Sequence, residues 1–361
     1  MKETNTSRQY HLDLLKALGI VSMIICHCVI SLGAHHEGYE NDFWYWFADI
    51  VLGDYIAVAH AFMFAMGVGF VYTKKKRPVD LVTRGVKIFL LGYVLNFLRY
   101  GGYALIDGLM EGRFEPQTLE ALFGPDILQF AGLAMILTGI FKRLGLGTIP
   151  VFVISILMSA AGSFLVLIDT GNYMGNLLLG QLITTTTDTS CFALLNWYLF
   201  VASGMLFGKI IRGLTEQESF YQKLLILSGL LSLVYLILTF RFGALFLTRQ
   251  GFYYSIGTLD AAGLICTDLF LLSVFYFLLK KTGPDRFQRC IEMSKNLTAI
   301  YVIHWCIIGF VDSIFCFLLE ISFPYYVIYP LAIELIPVSF RAARAWNSRT
   351  KKVREQTEAY S

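Results

Sequence analysis

The sequence predicts an all-α fold: a polytopic membrane helical bundle with about ten transmembrane helices and both termini cytoplasmic. Of its 361 residues, 56% are hydrophobic and only 15% are charged, and the mean hydropathy is +0.62. A soluble core does not need so much apolar surface. The apolar runs extend for about 20 residues without the period-two alternation of lipid-facing strands, which favours helices over a β-barrel.

Ten apolar runs in chain order account for the predicted helices. They cover residues 12–32, 54–72, 81–100, 125–141, 148–168, 191–210, 222–240, 259–279, 297–319 and 324–340. The longest connections, 33–53 and 101–124, have only about twenty residues each, so we expect no sizeable soluble domain. The chain 1–361 is therefore interpreted as one integral-membrane domain, with a short N-terminal tail (1–11) and a basic C-terminal tail (341–361).

The distribution of Lys and Arg predicts the orientation of the bundle. Basic residues cluster after the second, fourth and eighth runs and in the C-terminal tail, whereas the connections 35–46 and 169–188 are acidic or aromatic. The positive-inside rule then places both termini in the cytoplasm. We expect no cleavable signal, because the polar tail leads directly into a full-length span that would itself direct insertion.

We predict that a cysteine at position 361, on a thiol-free background, reacts with an impermeant thiol reagent only after the membrane is opened. A cysteine in the connection 33–53 should react in intact cells, and it serves as the control for reagent activity. Labelling at position 361 from outside the cell would contradict the predicted orientation.

The sequence also argues against several other classes of chemistry. The net charge is only +3 and the basic clusters are short and lie at membrane edges, so nothing indicates nucleic-acid binding. Seven cysteines, an odd number mostly within apolar runs, do not form a disulfide framework. Cys26, His27 and Cys28 point about 100° apart on a helix and cannot close on one ion, so we expect no metal. The chain shows no nucleophile elbow and no Walker or dinucleotide glycine pattern.

Two ionisable residues of the first run are spaced so that they share one helix face. Lys16 and His27 are eleven residues apart, and eleven steps of about 100° and about 1.5 Å leave them offset by about 20° and separated by about 16 Å. Intramembrane ionisable groups are costly and mark function by default. The alternative is that Lys16 snorkels to the interface while His27 only hydrogen-bonds to a neighbouring helix. Asp13, one turn before Lys16, is expected to fix Lys16 or a helix end.

The remaining polar residues of the apolar runs fall into two predicted layers. Lys16, Arg84 and Lys87 form a cytoplasmic layer, and Arg84 and Lys87 share a helix face. Near the opposite surface lie His27, His60, Asn96, Arg99, Asp126 and Gln129, while His304, preceded by Asn296, lies near the middle of the ninth run. Snorkelling remains an alternative for each of Arg84, Lys87 and Arg99.

Several motifs resemble the transmembrane acyltransferase superfamily, which contains the acyltransferase-3 proteins and the heparan-α-glucosaminide N-acetyltransferases. Arg-x4-Asp-x2-Lys-x10-His, from Arg8 to His27, resembles the opening signature of the superfamily. Residues 60–67 are similar to its second span, and residues 84–96 and 126–134 are closer to the heparan-acetyltransferase branch. The segment from Ser294 to His304 resembles the Ser-Leu-x-Tyr-x-x-His element of acyltransferase-3 domains. Lys87 departs from that branch, where a second Arg is frequent.

The resemblance implies an acyl-CoA-dependent acyltransferase. Cytoplasmic acyl-CoA, usually acetyl-CoA, would place its phosphates against Lys16, Arg84 and Lys87, and its thioester would reach His27. His27 would act as a general base or as a transient acyl acceptor, with His60 and His304 as further catalytic candidates. The candidates for binding the acceptor, a glycan or another hydroxyl or amine compound, are Asn96, Asp126, Gln129 and Asn296.

A rival hypothesis is a proton-coupled transporter or flippase in which His27, His60 and His304 form a proton relay. The enzyme is favoured because a proton relay has no need of a phosphate-sized cation site. A helper subunit with a degenerate site is disfavoured by the intact motif. We expect a multi-pass protein of the bilayer, in the inner membrane if the source is bacterial. Whether it forms a homodimer is left open.

Overall fold

The computed structural model describes residues 8–35, 38–56, 58–73, 77–112, 121–186, 191–242 and 253–359. These residues form helices and no named strand, with one isolated bridge between Ile168 and Thr185. The α-helices are α1 (Tyr10–Gly33), α2 (Phe43–Trp46), α3 (Ala59–Tyr72), α4 (Pro78–Glu111), α5 (Ile127–Arg143), α6 (Thr148–Phe164), α7 (Tyr173–Leu179), α8 (Leu194–Gly213), α9 (Glu218–Phe242), α10 (Thr258–Thr282), α11 (Gln288–Lys295), α12 (Leu297–Val311) and α13 (Tyr325–Ala359). Two π-helical segments cover Phe47–Tyr55 and Asp312–Leu318.

The prediction of an all-α membrane bundle is confirmed. In the described part of the chain, nine helical stretches are long and apolar enough to cross a membrane. The predicted run 148–168 becomes α6, which has only 17 residues and is shorter than these nine. The chain turns away soon after α6, where Leu167 adopts a left-handed conformation (φ 52°).

Three segments that the sequence assigned to connections or tails are helical. α4 continues past Tyr100 to Glu111, and most of the π-helical segment Phe47–Tyr55 lies in the predicted connection 33–53. α13 extends through most of the predicted tail. In α4, Gly102 lies against Ser313 of the second π-helical segment, so this glycine serves packing inside the helix.

α1 lies at the centre of the bundle and carries both Lys16 and His27. It contacts α3, α10, α11, α12 and α13, and it runs unbroken from Tyr10 to Gly33. The assumption that one continuous helix separates Lys16 from His27 therefore holds. The axial separation of about 16 Å follows from the helical rise.

α4 and α5 pack closely through glycines, and this packing sets one wall of the site. A Cβ added at Gly85 would lie 2.6 Å from the carbonyl oxygen of Gly132, and one added at Gly132 would lie 2.7 Å from the amide nitrogen of Phe89. Small residues let helix backbones approach in this way in membranes. The close crossing brings the far end of α4 beside the start of α5.

Candidate active site

α1 and the segment containing α11 and α12 run parallel and are joined at three levels. Since residue numbers rise together along both, the contacts define a Lys16 end and a His27 end of the site. The contacts are Asp13 Oδ1 with Ser294 Oγ (2.6 Å), His27 Nδ1 with His304 Nε2 (2.9 Å) and His35 Nε2 with Asp312 Oδ1 (2.7 Å).

The middle contact is a pair of imidazoles whose tautomers follow from their surroundings. His304 is fully buried, and its Nδ1 lies 3.0 Å from the carbonyl oxygen of Ile300. A carbonyl only accepts, so Nδ1 of His304 carries a proton. In a neutral His304 the Nε2 atom is then an acceptor, and His27 donates to it from Nδ1. This leaves Nε2 of His27 unprotonated, and no hydrogen bond to a described residue occupies it.

His27 lines a cavity of about 220 Å³, here called the His27 cavity. Its ring stacks on Trp305, with the ring centroids 4.2 Å apart and the planes at 27°. Stacking and the bond to His304 together fix the orientation of the imidazole. The residues with polar side-chain atoms that line the cavity are His27, Asn96, Arg99, Tyr100, Asp126, Cys191, Tyr254, Tyr301 and Trp305.

Arg99 and Asp126 form an ion pair in the wall of the His27 cavity. Arg99 Nη1 donates to Asp126 Oδ2 at 3.0 Å, and the Tyr301 hydroxyl donates to the same oxygen at 3.2 Å. The Arg99 guanidinium lies over Trp305, 3.4 Å from the ring centroid. Only 16% of the Arg99 side chain is accessible. A guanidinium has five N–H donors, so this pairing does not exhaust its capacity to bind a ligand.

The position of Arg99 depends on a close approach between α12 and α4. A Cβ added at Gly309 of α12 would lie 2.9 Å from the Cα of Arg99. Only glycine allows the two backbones to come this close. Arg99 is therefore placed by backbone packing as well as by its partner Asp126.

The second cavity, here called the Lys16 cavity, has a volume of about 300 Å³ and lies at the other end of the site. Three cations line it: Lys16, Arg84 and Lys295. Lys16 Nζ lies 3.2 Å from Asp13 Oδ1, and Asp13 also accepts from Arg8 and Ser294. This contact matches the expectation that Asp13 fixes Lys16.

The two cavities share wall residues. Ile127 and Tyr301 line both of them. Tyr301 lies between the two cavities, and its hydroxyl donates a hydrogen bond to Asp126 in the wall of the His27 cavity. A ligand that extends from the Lys16 cavity past Tyr301 would arrive beside His27.

Two of the predicted acceptor-binding residues, Asn96 and Gln129, form hydrogen bonds within the protein. The side-chain amide of Asn96, which lines the His27 cavity, donates to the carbonyl oxygens of Leu122 and Gly124 (3.3 and 3.0 Å) and so holds the segment before α5. Gln129 is fully buried, and its Oε1 accepts from the Asp126 amide as part of a capping box at the start of α5. Gln129 thus supports Asp126 and does not line either cavity.

Three further predicted residues lie apart from the two cavities. His60 is fully buried and its Nδ1 lies 3.0 Å from Asp268 Oδ1 of α10, in a separate pair from His27 and His304. Lys87 is exposed on α4 and lines neither cavity. Asn296 is at the Lys16 end, where its amide donates to the Glu292 carbonyl and its oxygen accepts from Asn347.

The structure adds four residues that were not among the sequence-predicted site residues: Arg99, Tyr301, Trp305 and Lys295. Tyr301 belongs to the segment that resembles acyltransferase-3 domains, and Arg99 belongs to the same predicted layer as His27, so both had a signal in the sequence. Lys295 belongs to the basic cluster after the eighth run, which served only to predict the orientation of the bundle. Trp305 follows His304 directly and had no separate signal.

Fold and site together define a polytopic helical membrane protein with a polar centre buried between its spans. The family model for the catalytic region of heparan-alpha-glucosaminide N-acetyltransferase matches residues 8–240, which is more than half of the 361-residue chain. The chain belongs to this family, and the family implies a membrane-bound acetyltransferase. Neither the curated proteins nor the solved structures include a match to the chain.

The family match supports the heparan-acetyltransferase side of the resemblance, whereas the likeness to acyltransferase-3 proteins stays a prediction. The matched residues include Lys16, His27, Arg84, Arg99 and Asp126. The segment that carries Tyr301 and His304 follows the matched range, and the structure brings it against the matched part through α1.

Proposed function

We propose that the protein transfers an acetyl group from acetyl-CoA to a hydroxyl or amine of a glycan. The observation that carries this proposal is the arrangement of the two cavities. One is lined by cations, the other by an imidazole pair and an arginine–aspartate pair, and the two share Ile127 and Tyr301. A donor with anionic phosphates at one end and a reactive carbonyl at the other suits this arrangement.

In this proposal the Lys16 cavity binds the phosphates of the donor. Lys16, Arg84 and Lys295 supply positive charge there, and charge-assisted contacts to phosphate are strong and short. The distance of about 16 Å along α1 from Lys16 to His27 amounts to three helical turns. An extended pantetheine arm covers that distance, so the thioester would lie in the His27 cavity.

The reaction then needs one proton to move twice. The acceptor oxygen or nitrogen attacks the thioester carbonyl, its proton passes to Nε2 of His27, and a tetrahedral oxyanion forms. The imidazolium keeps its Nδ1 bond to His304, which stabilises the added charge. Collapse of the intermediate breaks the carbon–sulfur bond, and the proton on Nε2 neutralises the departing thiolate. An acetyl-histidine intermediate at His27 remains the alternative route.

Arg99 and Asp126 are assigned to the acceptor and to the developing oxyanion. An arginine donor aimed at the developing negative charge stabilises the transition state more than the ground state. Asp126 accepts hydrogen bonds and suits a sugar hydroxyl or amine. Trp305 and Tyr254 add aromatic surface to the same cavity, which suits the apolar face of a sugar ring.

The rival proposal of a proton-coupled transporter is less well supported. A relay through His27, His60 and His304 needs a continuous chain of exchangeable protons. In the described residues, His60 pairs with Asp268 and has no hydrogen bond to either member of the His27–His304 pair. The three cations of the Lys16 cavity also have no role in such a relay.

By the positive-inside rule, we propose that the Lys16 end faces the cytoplasm, where acetyl-CoA is available, and that the His27 end faces the opposite side. The acceptor would then reach His27 from outside the cytoplasm. In a bacterium this corresponds to the inner membrane.

We expect Arg84→Ala to weaken acetyl-CoA binding by about tenfold or more, because each charge-assisted hydrogen bond contributes about 1.5 to 3 kcal/mol. Lys87→Ala is the matched control, since Lys87 lies three residues along the same helix, is exposed and does not line the Lys16 cavity. Binding of a non-hydrolysable CoA analogue to purified protein measures both. Equal affinities in the two variants would assign Arg84 to the membrane interface.

The proposed activity is tested by giving purified protein labelled acetyl-CoA with and without a saccharide that ends in glucosamine. We expect label to move to the saccharide and free CoA to appear in equal amount. Release of CoA only without label transfer would indicate hydrolysis, and failure to consume acetyl-CoA with any hydroxyl or amine acceptor would contradict the proposal.

A further inference from the structure

Three metal-binding side chains converge at the His27 end of the bundle, outside the site described above. They are His35, just after α1, and Asp312 and Cys316 of the second π-helical segment. His35 Nε2, one Asp312 carboxylate oxygen and Cys316 Sγ all lie within 4.8 Å of one another. We propose that these residues bind one Zn²⁺ ion that ties the end of α1 to the end of α12.

The local fold explains why three residues from two segments meet here. α1 ends at Gly33 and leaves His35 about two turns beyond His27. α12 passes directly into the π-helical segment, in which Asp312 and Cys316 are four residues, or about one turn, apart. π-helical turns are uncommon and occur frequently at functional sites. The π-helical geometry of this segment therefore supports a site here.

The chemistry of the three donors fits zinc. Thiolate, imidazole and carboxylate are its usual protein ligands, and with three protein ligands a water molecule takes the fourth position, as it does in catalytic zinc sites. On binding, the Cys316 thiol loses its proton to water, because the thiolate is the ligand. A dication with a thiolate, a carboxylate and a neutral imidazole gives a centre with no net charge, which suits the edge of a membrane.

The spacing of the donor atoms is close to what zinc requires. Tetrahedral bonds of about 2.0 to 2.3 Å hold ligand atoms about 3.3 to 3.6 Å apart. His35 and Asp312 are now 2.7 Å apart, as a hydrogen-bonded pair, and the full set falls within 4.8 Å. Shifts on the order of 1 Å by side-chain rotation would complete the geometry. His35 and Asp312 are each about one-third accessible, so an ion has a path to the site.

The zinc ion would affect the active site only by fixing the relative positions of α1 and α12. His35 lies eight residues after His27, and Asp312 lies eight residues after His304, so the metal would lie about 12 Å from the imidazole pair. It touches neither the proposed donor nor the acceptor. Its effect would be to hold α1 and α12 in register. This inference does not rest on the proposed acetyl transfer.

The test is a metal titration of the full-length protein in detergent, purified without a histidine tag and stripped with a chelator. We use Co²⁺ as the probe, because a thiolate ligand gives it a charge-transfer band, and then Zn²⁺ as the competitor. We expect one Co²⁺ per chain, a thiolate band that Zn²⁺ removes, and a higher midpoint of thermal unfolding with Zn²⁺, since a ligand that binds only the native state stabilises it.

Variants distinguish the proposed site from the other thiols. Cys316→Ser should abolish the thiolate band, and Asp312→Asn should weaken Zn²⁺ binding by about 100-fold or more, since loss of an outer-shell partner alone costs about 10- to 100-fold. Cys306→Ser, at a half-buried position on α12, is the matched control and should bind as the parent does. A band that survives in Cys316→Ser overturns the proposal. If the parent protein shows neither the thiolate band nor the thermal shift, the proposal is also overturned. This result does not depend on whether the variants fold.

Discussion

His27→Ala is expected to reduce acetyl transfer by about 100-fold or more, the scale of loss when a general acid–base group is removed. The tautomer of His304 makes Nε2 of His27 the unprotonated nitrogen beside the cavity, and alanine provides no substitute. Binding of a CoA analogue should stay near parental, because Lys16 and Arg84 are untouched. Single-turnover transfer of label from acetyl-CoA is the measurement.

His11→Ala is the matched control for His27→Ala. His11 lies on the same helix, is buried and is 2.8 Å from the Tyr221 hydroxyl, but lines neither cavity. It should change stability without a comparable loss of transfer at equal amounts of folded protein. His304→Ala should also lower transfer, by removing the acceptor for Nδ1 of His27. A His27→Ala protein that binds the donor and transfers at the parental rate would remove His27 from the mechanism.

Arg99→Ala is expected to lower the rate of transfer by about 100-fold, since removal of one donor to a developing oxyanion costs about 100- to 1000-fold. The side chain lies in the wall of the His27 cavity, paired with Asp126 at 3.0 Å. Because the proposed contact is strongest in the transition state, kcat should fall more than the affinity for acetyl-CoA. Steady-state rates and analogue binding separate the two.

A purely structural role of Arg99 would give a different pattern. Asp126 would then be left with an unpaired, partly buried charge, so stability should fall while the rate of transfer per folded molecule stays near parental. The catalytic assignment predicts that the rate per folded molecule falls even when the amounts of folded protein are equal. Arg77→Ala, which removes the exposed pair of Arg77 with Asp80 at the start of the same helix, is the matched control and should be close to parental.

The sequence was sufficient for the class of fold and for the first helix of the site. Composition and run length predicted the helices, and the eleven-residue spacing of Lys16 and His27 needed only one continuous helix, which α1 provides. The sequence could not predict that His27 pairs with His304. Both residues were candidates, but their contact depends on α1 and α12 being parallel neighbours, and spacing within one helix carries no information about neighbours.

Arg99 shows what the sequence could not predict about a residue near the end of a predicted span. A cation at the end of a span is explained by snorkelling, and the predicted span ended at residue 100. In the structure α4 continues to Glu111, so Arg99 lies inside the helix and pairs with Asp126 across to α5. Gly102, just past the end of the predicted span, lies inside the helix and against Ser313 of the second π-helical segment. His60 shows the reverse case, because depth alone grouped it with His27 although its partner is Asp268.

The central claim is that an acetyl group passes from a donor at the Lys16 end to an acceptor at the His27 end. Sealed proteoliposomes with a glucosamine-terminated saccharide inside and labelled acetyl-CoA outside test it directly. The account predicts that label appears on the enclosed saccharide with parental protein, and not with His27→Ala that binds the CoA analogue equally well. Label that reaches the saccharide only when both substrates share one side, or equally with His27→Ala, would contradict it.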